Sequence, residues 1–276
     1  MKMKTRLAAF TIAALAASLA FAETAGTSLC NVIAKDHKVL GQDMWYGHKR
    51  TKFSFKGRTA WVVEPSVAPL AGKPWTWTMQ WADAFVPRTG VPDLLKRGFH
   101  HVTIDLYPTR MDEKGIADAA EFQNYLVKTL GFAPKANLIG MSWGGFFSVR
   151  YAAAHPENVQ KIYLDAPLMN FEDFGNPDYG VIGIWANRKP ADGNWTADPE
   201  MPVNKAAALA AAKIPVLLVY GGCDTIVPPK QNCLLFAERF KAAGGELKVI
   251  PRDLFGHHPH GLDPDKTQPI ADFFAK

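Results

Sequence analysis

Beyond about residue 50, the apolar positions switch between a two-residue and a 3.6-residue period. Thr51–Phe55 and Thr59–Val63 are strand-like runs that flank Lys56-Gly57-Arg58, which predicts a β-hairpin. Trp75–Gln80 reads as a third strand, Val91–Arg97 as a short helix ending at Gly98, and His101–Leu106 as a buried strand. Ile116–Leu130 has its apolar residues three and four apart and predicts an amphipathic helix ending at Gly131. Asn137–Met141 follows as a strand, and Gly144–Ala154 as a helix stopped by His155-Pro156. Lys161–Asp165 and Pro215–Tyr220 are strands rich in apolar residues. Gln231–Ala243 is a helix closed by Gly244-Gly245, Glu246–Ile250 the last strand, and Gln268–Phe274 the final helix.

An antiparallel pair followed by repeated strand–helix units implies an α/β fold with a mostly parallel central sheet covered by helices on both faces. The pattern breaks after the sixth of these strands. Residues 168–213 contain Pro177, Pro190, Pro199 and Pro202, several aromatics and a short alanine-rich helix near Asn204–Ala212. This stretch reads as a cap insertion over the carboxyl edge of the sheet.

The amino terminus has a different pattern. Lys2, Lys4 and Arg6 precede an apolar, alanine-rich run from Leu7 to Leu19, and Ala20-Phe21-Ala22 fits the small-x-small cleavage rule. Residues 1–22 therefore read as a signal peptide, with 23–276 as one mature domain, periplasmic or secreted and without a membrane anchor. An apolar run this short is poorly matched to a bilayer. Of 31 basic and 26 acidic residues, net +5, the leader carries three cations, so the mature chain is left at +2. A balance so even excludes a nucleic-acid partner. In an oxidising compartment, Cys223 and Cys233 bracket a loop and suggest a local disulfide, with Cys30 left over.

The candidate chemistry begins at Gly140-Met141-Ser142-Trp143-Gly144, a G-x-S-x-G pattern between a strand and a helix. A turn that sharp strains the serine backbone and leaves room only for glycine on either side. A serine nucleophile needs a base and a group to orient the base. Asp224, just past the strand Pro215–Tyr220, is the candidate acid, and Asp165, at the end of the preceding strand, the fallback. The bases on offer are His257, His258 and His260. Three histidines in four residues could also bind metal, but no acidic or cysteine ligand is spaced beside them, so no metal and no cofactor is expected. An oxyanion hole needs two N–H donors. Trp143 supplies one by position, and Trp81, in the loop after the third strand, is the choice for the other.

The segments Gly57–Pro65, Gly72–Trp81, Gly140–Gly145, Tyr163–Pro167, Gly221–Pro228 and Gly256–Leu262 together resemble the α/β-hydrolase superfamily, and within it exported bacterial hydrolases. The resemblance implies a Ser142–Asp224–His257 triad acting through an acyl-enzyme, because the family's base directly follows the glycine of Gly-His-x-Pro-His. His258 and Trp185 are then candidates to line the substrate pocket. Glucuronoyl esterases and many exported relatives carry arginine after the nucleophile. Trp143 stands there in this sequence and cannot grip a carboxylate, although Arg88, Arg110 or Arg188 could reach in from other loops. The expected activity is hydrolysis of a small-molecule or carbohydrate-linked carboxylic ester. A peptidase or amidase on the same triad is the nearest rival, and a non-catalytic binding protein on this fold the more distant one.

Overall fold

The computed structural model describes residues 28–172, 174 and 182–276. The proposed leader and residues 173 and 175–181 of the insertion lie outside the described residues. A single sheet of nine strands forms the centre: β1 (Val39–Trp45), β2 (His48–Phe55), β3 (Arg58–Val63), β4 (Trp75–Thr78), β5 (His100–Ile104), β6 (Ala136–Met141), β7 (Val159–Asp165), β8 (Val216–Gly221) and β9 (Leu247–Arg252). Their order is β1-β2-β3-β5-β4-β6-β7-β8-β9. The first three strands and the β3–β5 pair are antiparallel, and the remaining pairs are parallel.

The β2–β3 hairpin closes on Lys56 and Gly57, both at positive φ (49° and 78°), the geometry of a tight turn matched to the twist of the strands. Two elements escape the sequence pattern, helix α1 (Leu29–Asp36) and strand β1. Most of β1 is exposed at the sheet edge, so no apolar alternation marks it. The insertion accordingly follows the seventh strand, not the sixth.

Among the described residues, six further helices are α2 (Val91–Lys96), α3 (Glu113–Lys128), α4 (Trp143–Ala154), α5 (Ala206–Ala211), α6 (Cys233–Ala242) and α7 (Gln268–Ala275). Each buried strand contributes alternate side chains to two separate cores. Leu138, Ile162 and Leu218 meet α3, α4 and α6 on one face. Ile139, Tyr163 and Leu217 meet α2 and α7 on the other. Trp75 and Trp77 are fully buried in the first core, stacked at 6.0 Å.

Past β7 the described residues form the 3-10 segments Gly183–Arg188, Trp195–Ala197 and Pro202–Asn204 and then α5, with anchors to the rest of the fold. Oδ1 of buried Asn232 accepts from the N–H groups of Met169 and Asn170. Arg150, buried in α4, donates to the carbonyls of Met111 and Glu200 and to the Glu200 carboxylate, under the ring of Trp185. Among the described residues no helix is long and apolar enough to cross a membrane.

Candidate active site

Ser142 stands between β6 and α4 at φ 51°, ψ −119°, a region costly for a residue with a Cβ. The surroundings hold it there. Its N–H donates to Asp165 O at 3.0 Å, and its carbonyl accepts from Gly145 and Leu168, each at 2.9 Å. The neighbouring glycines are required by close approach. A Cβ at Gly140 would lie 2.7 Å from Gly144 O, and one at Gly145 would lie 2.2 Å from Pro167 Cβ. The turn therefore raises the serine side chain off the end of the sheet and leaves the helix N-terminus directly behind it.

Asp224 follows β8, and its carboxylate accepts three hydrogen bonds. Oδ1 takes the N–H groups of Ile226 and Val227, each at 2.9 Å, and Oδ2 faces His257 Nδ1 at 2.7 Å. With Nδ1 donating to the carboxylate, Nε2 of His257 is the acceptor, and it lies 3.0 Å from Ser142 Oγ. The three side chains form one hydrogen-bonded line, with Asp224 and His257 buried. The loop bearing His257 is fastened from both sides. Arg252 Nη1 donates to the carbonyls of Pro259 and Gly261, each at 2.7 Å, and Arg88 Nε donates to His260 O at 2.9 Å.

The fallback acid Asp165 is engaged elsewhere. Its Oδ1 lies 2.7 Å from His260 Nδ1, while Oδ2 accepts from Tyr163 OH at 2.5 Å and Gly261 N at 2.8 Å. Two buried His–Asp couples thus stand side by side, with the His257 and His260 rings 4.8 Å apart. Only the first of them reaches the serine.

A cavity of about 350 Å³ opens over Ser142, walled by Trp81, Phe85, Trp143, Phe174 and Ile226, with His257, His258 and His260 along one side. Trp81 and Trp143 both lie on it, and Trp81 adopts a left-handed φ of 62°. Neither of their backbone N–H groups donates to a loop or turn carbonyl among the described residues. His258 is exposed, and its ring lies flat on Phe85 at 5.4 Å. Burial, reinforced by the two neighbouring imidazoles, lowers its pKa from the ordinary histidine value.

Several expectations are corrected. Trp185 is not in the cavity. It is fully buried, donating from Nε1 to Arg110 O and packed against Phe146 and Phe171, because a large ring beside Arg150 gains more from the core than from solvent. Cys223 and Cys233 are both free thiols. Cys223 is exposed with Sγ toward Asp253 O, and Cys233 is buried in the first turn of α6, where burial pushes its thiol up to about 12. The three arginines are committed to the scaffold. Arg88 braces the histidine loop, Arg188 pairs with Glu113 at 2.9 Å, and Arg110 stacks 3.6 Å from the Tyr107 ring.

Phe85, Phe174 and Ile226 are cavity residues that sequence reasoning did not single out. Their only signal is position, in loops that follow strands at the same edge as Ser142. A larger cavity, about 790 Å³, lies at the opposite end of the strands around Pro74, Asn137 and Lys161, away from the serine.

The sequence matches the model of a family described as the alpha/beta hydrolase fold over residues 80–190. No curated protein matches it. Among solved structures, dipeptidyl peptidase 4 of Porphyromonas gingivalis superposes with a TM-score of 0.65 at 16% identity, covering 83% of this chain and 35% of that one. A puromycin-hydrolyzing peptidase of Mycobacterium tuberculosis gives 0.61 at 18% identity, covering 84% and 38%. Acylaminoacyl peptidase of Pyrococcus horikoshii gives 0.59 at 15%, covering 90% and 43%. The chain thus spans well under half the length of these three chains. The family match and the superpositions together show the α/β-hydrolase fold.

Proposed function

We propose that the chain is an exported serine hydrolase that cleaves a carboxylic ester through an acyl-enzyme on Ser142. The observation that carries this reading is the unbroken line from Asp224 Oδ2 through His257 to Ser142 Oγ, at 2.7 and 3.0 Å. His257 Nε2 takes the Ser142 proton as Oγ attacks the carbonyl carbon. The N–H groups of Trp143 and Trp81 receive the negative oxygen, and Asp224 stabilises the imidazolium. His257 then returns the proton to the departing alkoxide, which leaves as an alcohol. Water enters, gives a proton to His257 and its oxygen to the acyl carbon. Ser142 regains its proton and the acid departs.

The aromatic wall of the cavity suits an uncharged acyl or aryl group, or the face of a sugar ring. A second reading, a peptidase or amidase on the same residues, is favoured by the peptidases among the structures it resembles. The same acyl-enzyme steps serve both, since only the leaving group differs.

Rates on p-nitrophenyl esters of increasing chain length, on acetylated sugars and on aminoacyl amides would separate the two. The ester reading expects kcat/KM to be highest on an ester and to collapse in Ser142→Ala. Faster cleavage of the amides selects the second reading, and full activity in Ser142→Ala overturns both. Export is checked by sequencing the amino terminus of protein recovered from outside the cytoplasm, expected to begin at Glu23.

A further inference from the structure

His257, His258 and His260 come from one loop, and each offers a ring nitrogen so placed that the three atoms lie within 4.8 Å of one another. All three line the cavity over Ser142. Their ring centroids stand 4.8, 4.8 and 5.0 Å apart, each pair edge-on. Two of the rings carry a feature typical of metal ligands. His257 Nδ1 faces Asp224, and His260 Nδ1 faces Asp165, each at 2.7 Å. A carboxylate on Nδ1 fixes the tautomer with its lone pair on Nε2 and makes that nitrogen a better donor to a metal. The serine chemistry uses only one of these couples.

We propose that His257, His258 and His260 form a site for a borderline-soft divalent transition ion, with Zn²⁺ as its representative. Three imidazoles and no carboxylate suit such an ion and do not suit Mg²⁺ or Ca²⁺. With Zn–N bonds of about 2.0–2.1 Å, donor atoms around one tetrahedral ion stand roughly 3.3 Å apart. The trio must therefore contract, and exposed His258 is the member free to swing inward. The fourth position faces the cavity, where water or Ser142 Oγ completes the tetrahedron.

The ion occupies the same Nε2 lone pair that accepts the Ser142 proton, so metal binding and turnover exclude each other. The site is thus a metal-operated brake on the hydrolase. The site itself rests on the loop geometry alone. Its inhibitory consequence rests on the serine-hydrolase reading.

Calorimetric titration of zinc into the chelator-treated full chain tests the site without reference to activity. One equivalent should bind, His258→Gln and His260→Gln should each weaken binding by about tenfold or more, and Cys223→Ser should leave it unchanged. His258 is exposed, so its variant carries the test even where His260→Gln does not fold. Absence of binding up to millimolar zinc, binding insensitive to His258→Gln, or binding lost in Cys223→Ser overturns the site. In parallel, zinc should slow fluorophosphonate labelling of Ser142, and chelator should restore it. Labelling unchanged by bound zinc overturns the brake. No labelling even without zinc removes the hydrolase reading and leaves the calorimetric result standing.

Discussion

His260 Nδ1 lies 2.7 Å from Asp165 Oδ1, so the second carboxylate near the nucleophile already has a histidine of its own. Asp224 is left as the partner of His257. Asp224→Asn should keep the fold but present the wrong tautomer, lowering kcat by about 10⁴-fold, as loss of the orienting carboxylate does in other serine hydrolases. Asp165→Asn should lower kcat by no more than about tenfold. It weakens three buried hydrogen bonds, to His260, Tyr163 and Gly261, at a cost of roughly 2–4 kcal/mol. Ester kinetics and thermal melts on the two variants check this, and a reversed ranking of the activities contradicts the assignment.

The two glycines that open α4 are not equivalent. A Cβ at Gly145 meets Pro167 Cβ at 2.2 Å and Pro167 Cα at 2.9 Å, whereas one at Gly144 meets nothing nearer than Gln80 N at 3.4 Å. Gly145→Ala should therefore destabilise by about 1–3 kcal/mol and displace the elbow, with a matching loss of activity. Gly144→Ala should change stability by less than about 1 kcal/mol, since helix propensity offsets the tighter contact. Chemical denaturation of both variants measures the difference.

Acid should unfold the protein through histidines that the catalytic site does not use. Burial lowers the pKa of His100 to about 4 and that of His101 to about 3, against 6.5 for exposed histidine. The unfolded chain therefore binds protons that the folded chain refuses. Stability is intact above about pH 6.5 and falls as the pH drops toward 4 and then 3, by up to about 1.4 kcal/mol per unit for each ring. Denaturation midpoints across that window should show the decline. His100→Phe, which keeps the contact with Phe132, should make it shallower. An unchanged slope in that variant would point to other groups.

The thiols offer an independent check on the loop bearing Asp224. Native protein should show Cys223 reacting quickly with a disulfide reagent. Cys233, buried and pushed up to about 12, should react only on unfolding. Reductant should leave the melting temperature and activity unchanged. A loss of both on reduction would restore the covalent clamp that the spacing of these cysteines suggests.

The parts of the fold that were legible in the sequence are those whose burial leaves a periodic trace. Helix α3 shows its apolar stripe, the buried strands β6 and β8 show apolar runs, and the elbow shows Gly140 and Gly145, where a Cβ would clash. Strand β1 is invisible because an exposed edge strand needs no apolar face. Trp185 illustrates the converse. An aromatic in a loop-rich insertion looks the same in sequence whether it faces a ligand or, as here, the core under Arg150. The Cys223–Cys233 spacing permits a bridge, but it carries no information on where two side chains point. Asp224 was legible through its position after a strand, and His257 only through the resemblance of its loop, since position alone left three histidines open. The His260–Asp165 couple was not, since nothing in the sequence marks residues 95 positions apart as hydrogen-bonded partners.

The central claim is that Ser142 is an activated nucleophile. Its most direct test is labelling of the native chain with a fluorophosphonate, followed by peptide mass mapping. A single adduct on the peptide containing Ser142 is predicted, absent in Ser142→Ala and formed far more slowly in His257→Gln. No adduct on the folded wild-type chain, or an adduct on another residue that survives Ser142→Ala, would contradict it.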